Sequence, residues 1–168
     1  MNVWLQILIG LLFYQLMLYF WHRSMHNSNT LWKVFHQMHR SSVRIDIANT
    51  YYFSPMDMIG FTLLGSICFA LGMGLSPQAI TVVILALNFL SIFQHVNIKT
   101  GKWIGYFIQR PEQHSVHRRL GVHKYNYSDF PIYDLILAPS ETLKTFKAKT
   151  AYMREPPLRY LIWCHLKT

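Results

Sequence analysis

Eight of the nine histidines fall into short groups: His22-Arg-Ser-Met-His26, His36-Gln-Met-His39, a lone His95, His114-Ser-Val-His117 and His123. Spacings of four and three residues bring both imidazoles of a pair to one face of a helix, about 5–6 Å apart. Neighbouring ligands of one metal ion need that geometry. Neutral imidazole suits iron, zinc and copper rather than calcium or magnesium. Eight imidazoles are too many for one four-coordinate zinc and match two ions with four ligands each. Neither His-Glu-x-x-His nor Glu-x-x-His occurs, which sets aside a zinc-protease site and a ferritin-like carboxylate site. His165, outside every group, reads as a surface residue. Cys68 and Cys164 lack Cys-x-x-Cys spacing and read as inert thiols.

The elements that must carry these groups are apolar. The chain has 168 residues, enough for one domain, with 52 % hydrophobic and only 14 % charged residues, against about 25 % charged in soluble domains. Val3 to Trp21 carries no charge and is long enough to cross a bilayer. No basic segment or small-residue cleavage site marks it as a signal peptide, so it reads as a retained transmembrane helix. Met58 to Phe93 is uncharged, too long for one span, and broken at Gly72-Met-Gly74-Leu-Ser-Pro77, where glycine and proline supply turn chemistry. The expected fold is therefore all-α and multi-pass, with about three spans (3–21, 58–73 and 78–93). A helical cap, 22–57 and 94–137, carries the histidines, and a basic tail follows over 138–168. The whole chain, 1–168, reads as one membrane domain. Trp103 to Ile108 is apolar but short, and reads as interfacial or re-entrant.

All sixteen Lys and Arg lie in 22–57 or after His95. The positive-inside rule then places the N-terminus outside and every histidine on the cytoplasmic side. The net charge of +9 has no nucleic-acid recognition pattern and points to anionic lipid headgroups.

This order of groups, with Phe93-Gln-His95-Val-Asn97, Gln109-Arg-Pro-Glu-Gln-His114-Ser-Val-His117, Asn126-Tyr127-Ser128 and Tyr133-Asp134, resembles the fatty acid hydroxylase / sterol desaturase superfamily over about Phe13 to Leu137. The resemblance implies an integral membrane oxidoreductase with two iron ions held by histidine. It would use O2 and an external electron donor protein to hydroxylate or desaturate a lipid C–H bond. Carried over by position, the implied ligands are His22, His26, His36, His39, His95, His114, His117 and His123. Zinc is the ion such a site can hold on isolation. Arg40 and Arg118 stand where the family's three-residue-spaced boxes usually end in a further histidine, and a guanidinium cannot ligate a metal. Asn97, Asn126 and Asp134 are placed to orient an imidazole through its other ring nitrogen. Two other readings compete: a non-catalytic member of the same family that has lost its chemistry, and a b-type haem protein. A second subunit, of the same or another chain, would supply helices to complete a substrate channel.

Overall fold

In the computed structural model the described residues are 1–42, 45–118 and 125–138. The expectations for His123, Cys164, His165 and the basic tail lie outside them. Every regular element among the described residues is helical. α1 (Val3–Asn27) begins at Asn2, whose side chain accepts from the Trp4 amide, and runs unbroken through His22 and His26. The first histidine pair thus sits in the last turns of the first of the long apolar helices. Ser28 then caps α2 (Asn29–Leu31), followed by a π-helical turn (Trp32–His36) and α3 (Gln37–Ser41). A 3-10 turn (Ile47–Tyr51) leads to α4 (Pro55–Ser66), which continues as a π-helical segment (Ile67–Gly72). After α5 (Pro77–His95) come a 3-10 turn (Lys102–Tyr106), α6 (Pro111–His117) and α7 (Pro131–Leu137).

The hairpin is built by repeated local chemistry. Ser54-Pro55 and Ser76-Pro77 start α4 and α5 alike: each serine hydroxyl accepts an amide of the first turn, from Asp57 and Ala79 respectively, and each proline sits where no amide is needed. Between them Gly74 adopts φ +56°, which costs glycine little. α1, the α4 segment to Gly72, and α5 are each long and apolar enough to cross a membrane. Leu5, Leu8, Leu63, Leu71, Leu85 and Phe89 lie exposed on these helices, as hydrocarbon contact requires.

α1 is the hub. It packs against α5 and against both parts of the α4 segment, whereas α4 and α5 make few contacts with each other. Tyr14, Cys68, Phe69, Leu75, Ala79 and Val83 form the core between them. On the histidine side, α4 approaches α1 and the π-helical turn at Gly60. A Cβ there would lie 2.9 Å from the Trp21 ring and 3.1 Å from that of Phe35. The segment 125–137 folds back along α1, where the Tyr133 hydroxyl donates to the Leu12 carbonyl at 2.7 Å. Ile132 and Ile136 of α7 are exposed, as are Trp103, Tyr106 and Phe107 of the neighbouring turn.

Two aromatic rings packed on a bare glycine leave no room for a branched side chain. Gly60→Val is expected to destabilise the fold by about 1–3 kcal/mol, read as a lower thermal midpoint in detergent with unchanged helix content at low temperature. An unchanged midpoint would show that α4 does not seat as described.

Candidate metal centre

Seven described histidines gather in two adjoining groups: His22, His26, His36 and His117 in one, and His39, His95 and His114 in the other, with ligand-capable atoms in each group within 4.8 Å of one another. Each element contributes in its own way. The i,i+4 pair of α1 places both rings in the first group. The two His-x-x-His boxes do not behave like that. His36 and His39 lie 5.3 Å apart by ring centroid, and His114 and His117 lie 5.7 Å apart, with one ring of each box in each group. A three-residue step advances about 4.5 Å along a helix and falls short of a full turn, so these rings sit side by side and face different points. Each three-residue-spaced box therefore spans the two groups. His95 enters from the last residue of α5.

Hydrogen bonds at the far side of several rings aim the near side inward. His22 Nδ1 is 3.2 Å from the Tyr127 carbonyl, which can only accept. Its Nε2 therefore carries the lone pair, and it lies 3.1 Å from both His26 Nε2 and His36 Nε2. Nitrogens held about 2 Å from a common ion sit about 3 Å from each other, so this group fits one. His95 Nδ1 donates to the Ser91 carbonyl at 2.8 Å. His95 Nε2, His114 Nε2 and His39 Nδ1 are buried with no hydrogen-bond partner among the described residues. Unpartnered buried nitrogens are costly in an apolar site, and three of them in one group are what a metal ion would satisfy. The donor set in both groups is imidazole, which suits a first-row transition metal.

Of the residues expected to orient imidazoles, Asn126 does so: its Nδ2 is 2.6 Å from His114 Nδ1. Tyr125 and Asn126 both adopt positive φ, +72° and +55°, a tight left-handed turn that asparagine tolerates. Asp134 works on the backbone, accepting from the amides of Tyr127 at 3.0 Å and Ser128 at 3.3 Å. It thereby fixes the carbonyl that orients His22. Asn97 is exposed beyond the end of α5, and the orienting partner of His95 is the Ser91 carbonyl. Sequence reasoning missed Asp57, whose carboxylate lies 3.9 Å from His36 Nδ1, and the buried set Gln15, Gln94 and Asp129. Gln15 carried a signal, since an amide within a membrane helix needs an internal partner.

The two arginines are buried beside the histidines, Arg118 completely. Arg40 donates to the His117 carbonyl and lies over the Trp32 ring at 5.9 Å. Burial holds His39, His114 and His117 well below the ordinary imidazole pKa; Arg118 adds to this at His39 and Arg40 at His117, and His95 adds to it at His114. The arginines thus help to keep imidazoles neutral, the form that binds metal.

A cavity of about 580 Å³ reaches the second group. From His39, His95 and His114 it runs between α1, α4 and α5 past Leu87 and Gly65 to Ile80. The span from His95 to Ile80 is about 22 Å at the rise of an α-helix.

A family model described as Fatty acid hydroxylase matches residues 7–138. Among curated proteins, Very-long-chain aldehyde decarbonylase GL1-9 of Oryza sativa subsp. indica, and the protein of that name from subsp. japonica, are each 25 % identical over 162 residues. Those alignments cover 92 % of this chain and 61 % of each relative, so the chain spans under two thirds of the length of the relatives it matches. No solved structure is a significant match.

Imidazoles kept neutral in the fold have a definite pH signature. Once unfolded they return to a pKa of about 6.5. Below that value the unfolded chain binds protons that the folded chain refuses, and stability falls as pH drops. Metal-free protein in detergent should therefore show a lower unfolding midpoint at pH 5 than at pH 8. Asp134, which burial raises to about 7, slopes the other way over this range, but this carboxyl is outweighed by several imidazoles. A midpoint no lower at pH 5 than at pH 8 would contradict neutral rings.

Proposed function

The chain belongs to the fatty acid hydroxylase family, and from that premise we propose that it is an oxygen-dependent membrane oxidoreductase that hydroxylates or desaturates a C–H bond of a lipid chain. The observation that carries this is the meeting of two imidazole groups with the inner end of a mostly apolar cavity between membrane helices. In this reading His22, His26, His36 and His117 hold one iron ion, and His39, His95 and His114 hold the other; His123, the eighth ligand that the family pattern implies, lies outside the described residues. Iron bound there supplies the reduction of O2 and the oxidation of the C–H bond, with electrons from an external donor protein.

The chain's own residues do the rest. Apolar side chains of α4 and α5, among them Phe61, Ile84 and Leu87, line the cavity and hold an extended hydrocarbon chain along it, so that binding energy becomes orientation. Because α4 and α5 lean on α1 rather than on each other, the cavity has a seam facing the bilayer, and Thr62, Ser66 and Ala70 stand exposed along it. A lipid enters there without crossing water. Tyr127 and Ser91 carbonyls fix the ring orientation of His22 and His95, and burial keeps water from the reacting region. The Lys and Arg distribution supports a cytoplasmic position for the centre. The relatives' name, a very-long-chain aldehyde decarbonylase, supports a long-chain lipid as the substrate class.

The burial of Arg40 and Arg118 favours a second reading, a family member that binds metal without turnover, since two fixed cations raise the cost of placing dications nearby. Uptake of O2 coupled to lipid product decides for the first reading.

His114→Ala should remove both iron retention and turnover while leaving helix content intact; full iron content and activity in that variant would sink the assignment. Thr62→Trp, at the seam, should lower turnover of a long-chain lipid about 10–100-fold, the scale of a substrate misplaced by about 1 Å. Its iron content should stay at the wild-type level. Unchanged turnover would place lipid entry elsewhere.

A further inference from the structure

A chain of buried polar groups runs from the middle of α1 to His114. The Gln15 amide is locked in direction, because its Oε1 accepts from the Asp129 backbone amide at 2.8 Å and from the Ser128 hydroxyl at 2.7 Å. Its Nε2 therefore donates to Asp129 Oδ2, at 2.6 Å. The other carboxyl oxygen, Oδ1, is 2.6 Å from Gln94 Nε2. Gln94 Oε1 is 3.0 Å from Asn126 Nδ2, which in turn is 2.6 Å from His114 Nδ1. Every amide in this chain of groups is buried: Gln15 fully, Gln94 and Asn126 to 5 % and 4 % exposure.

The direction of each bond follows from the one before it. An ionised carboxylate only accepts, so Gln94 must offer it Nε2 and offer Oε1 to Asn126. Asn126 must then present Nδ2, and His114 Nδ1 must accept. A ring whose Nδ1 accepts is neutral, so the single proton of His114 is then on Nε2, the nitrogen turned toward His39 and His95. That nitrogen cannot ligate an ion while it carries the proton. If Asp129 Oδ1 carries a proton, the whole chain reverses. Oδ1–H donates to Gln94 Oε1, Gln94 Nε2 donates to Asn126 Oδ1, and the same oxygen accepts from His114 Nδ1–H. His114 Nε2 is then a bare lone pair. An amide turned end for end fills the same space, so the reversal moves no backbone, and it forfeits the 3.4 Å bond from Gln94 Nε2 to the Leu90 carbonyl.

We propose that Asp129 is a positioning residue whose carboxyl group sets, through Gln94 and Asn126, which ring nitrogen of His114 carries the proton, and so whether Nε2 is open to a metal ion. Its burial supports the arrangement, because desolvation raises the Asp129 pKa against the two glutamine bonds that lower it. The groups facing it are Tyr14 and Gln15 from α1, Gln94 from α5 and Asp134 of α7. The consequence for metal rests on the two-ion reading above; the tautomer itself does not.

The test is 15N NMR of the metal-free, full-length protein in detergent, labelled at histidine, with the His114 signal assigned by its loss in His114→Gln. Asp129→Asn presents an amide Nδ2 to Gln94 Oε1 and is a fixed copy of the reversed chain. At pH 9 the wild-type ring should be protonated at Nε2 and the Asp129→Asn ring at Nδ1. The same tautomer in both overturns the proposal. Gln94→Leu cuts the chain while keeping the Asp129 side chain, and should leave a mixture of tautomers where the wild type has one; a single wild-type tautomer in that variant also overturns it. Fe(II) titration separates the two levels. Asp129→Asn should bind Fe(II) about 10–100-fold more tightly than wild type at pH 9, the usual range for groups that orient a ligand. If the tautomer moves and neither protein binds Fe(II), the relay stands and the two-ion reading fails.

Discussion

The structure depends on keeping several imidazoles neutral, dry and pointed at one another. Left to themselves, buried ring nitrogens with lone pairs in apolar surroundings are unfavourable, so each must be held by something stronger than its own preference. Carbonyls do this for His22 and His95, and Asn126 does it for His114. The long helices supply two of the ring sets directly, His22 and His26 at the end of α1 and His95 at the end of α5. The short elements beneath them bring in the rest. Charge follows the same logic. Arg40 and Arg118 help to hold the rings deprotonated, a condition for binding metal that also makes the site less welcoming to a dication.

Much of this was legible in the sequence, and what was not has a common cause. The apolar runs, the Gly-Pro break and the spacing of His22 and His26 are local features, and local rules place them. α1 runs on from the expected span to include both histidines, and Ser54-Pro55 lengthens α4 at its start, because capping reaches past the apolar stretch. The division of each His-x-x-His box between two groups was not legible, since it depends on which neighbours the rings meet. Asp57 beside His36 and Asp129 between Gln15 and Gln94 join residues far apart in the chain. Asn97 reads like Asn126 on paper, yet the chain leaves α5 in an extended direction and exposes it. Asp134 was placed near the histidines for a reason the fold modifies, as it holds the Tyr127 and Ser128 amides.

The membrane is part of the design. The helix pair α4 and α5 needs no tight mutual contact, because lipid satisfies its outer surfaces, and the space between them becomes a cavity of about 580 Å³ ending at the histidines. Leu63, Leu85 and Phe89 lie exposed within an apolar surface that suits lipid rather than water. The turn at Tyr125 and Asn126 returns the chain to α1 at Gln15 and Leu12, which closes the inner end of that cavity and ties the second group to the first helix.

The proposed function requires this chain to hold two iron ions on histidine. Elemental analysis of folded, detergent-purified wild-type protein, expressed with adequate iron, tests it most directly. About two irons per chain are expected, the number that two imidazole groups can hold. Folded protein containing no transition metal would contradict it.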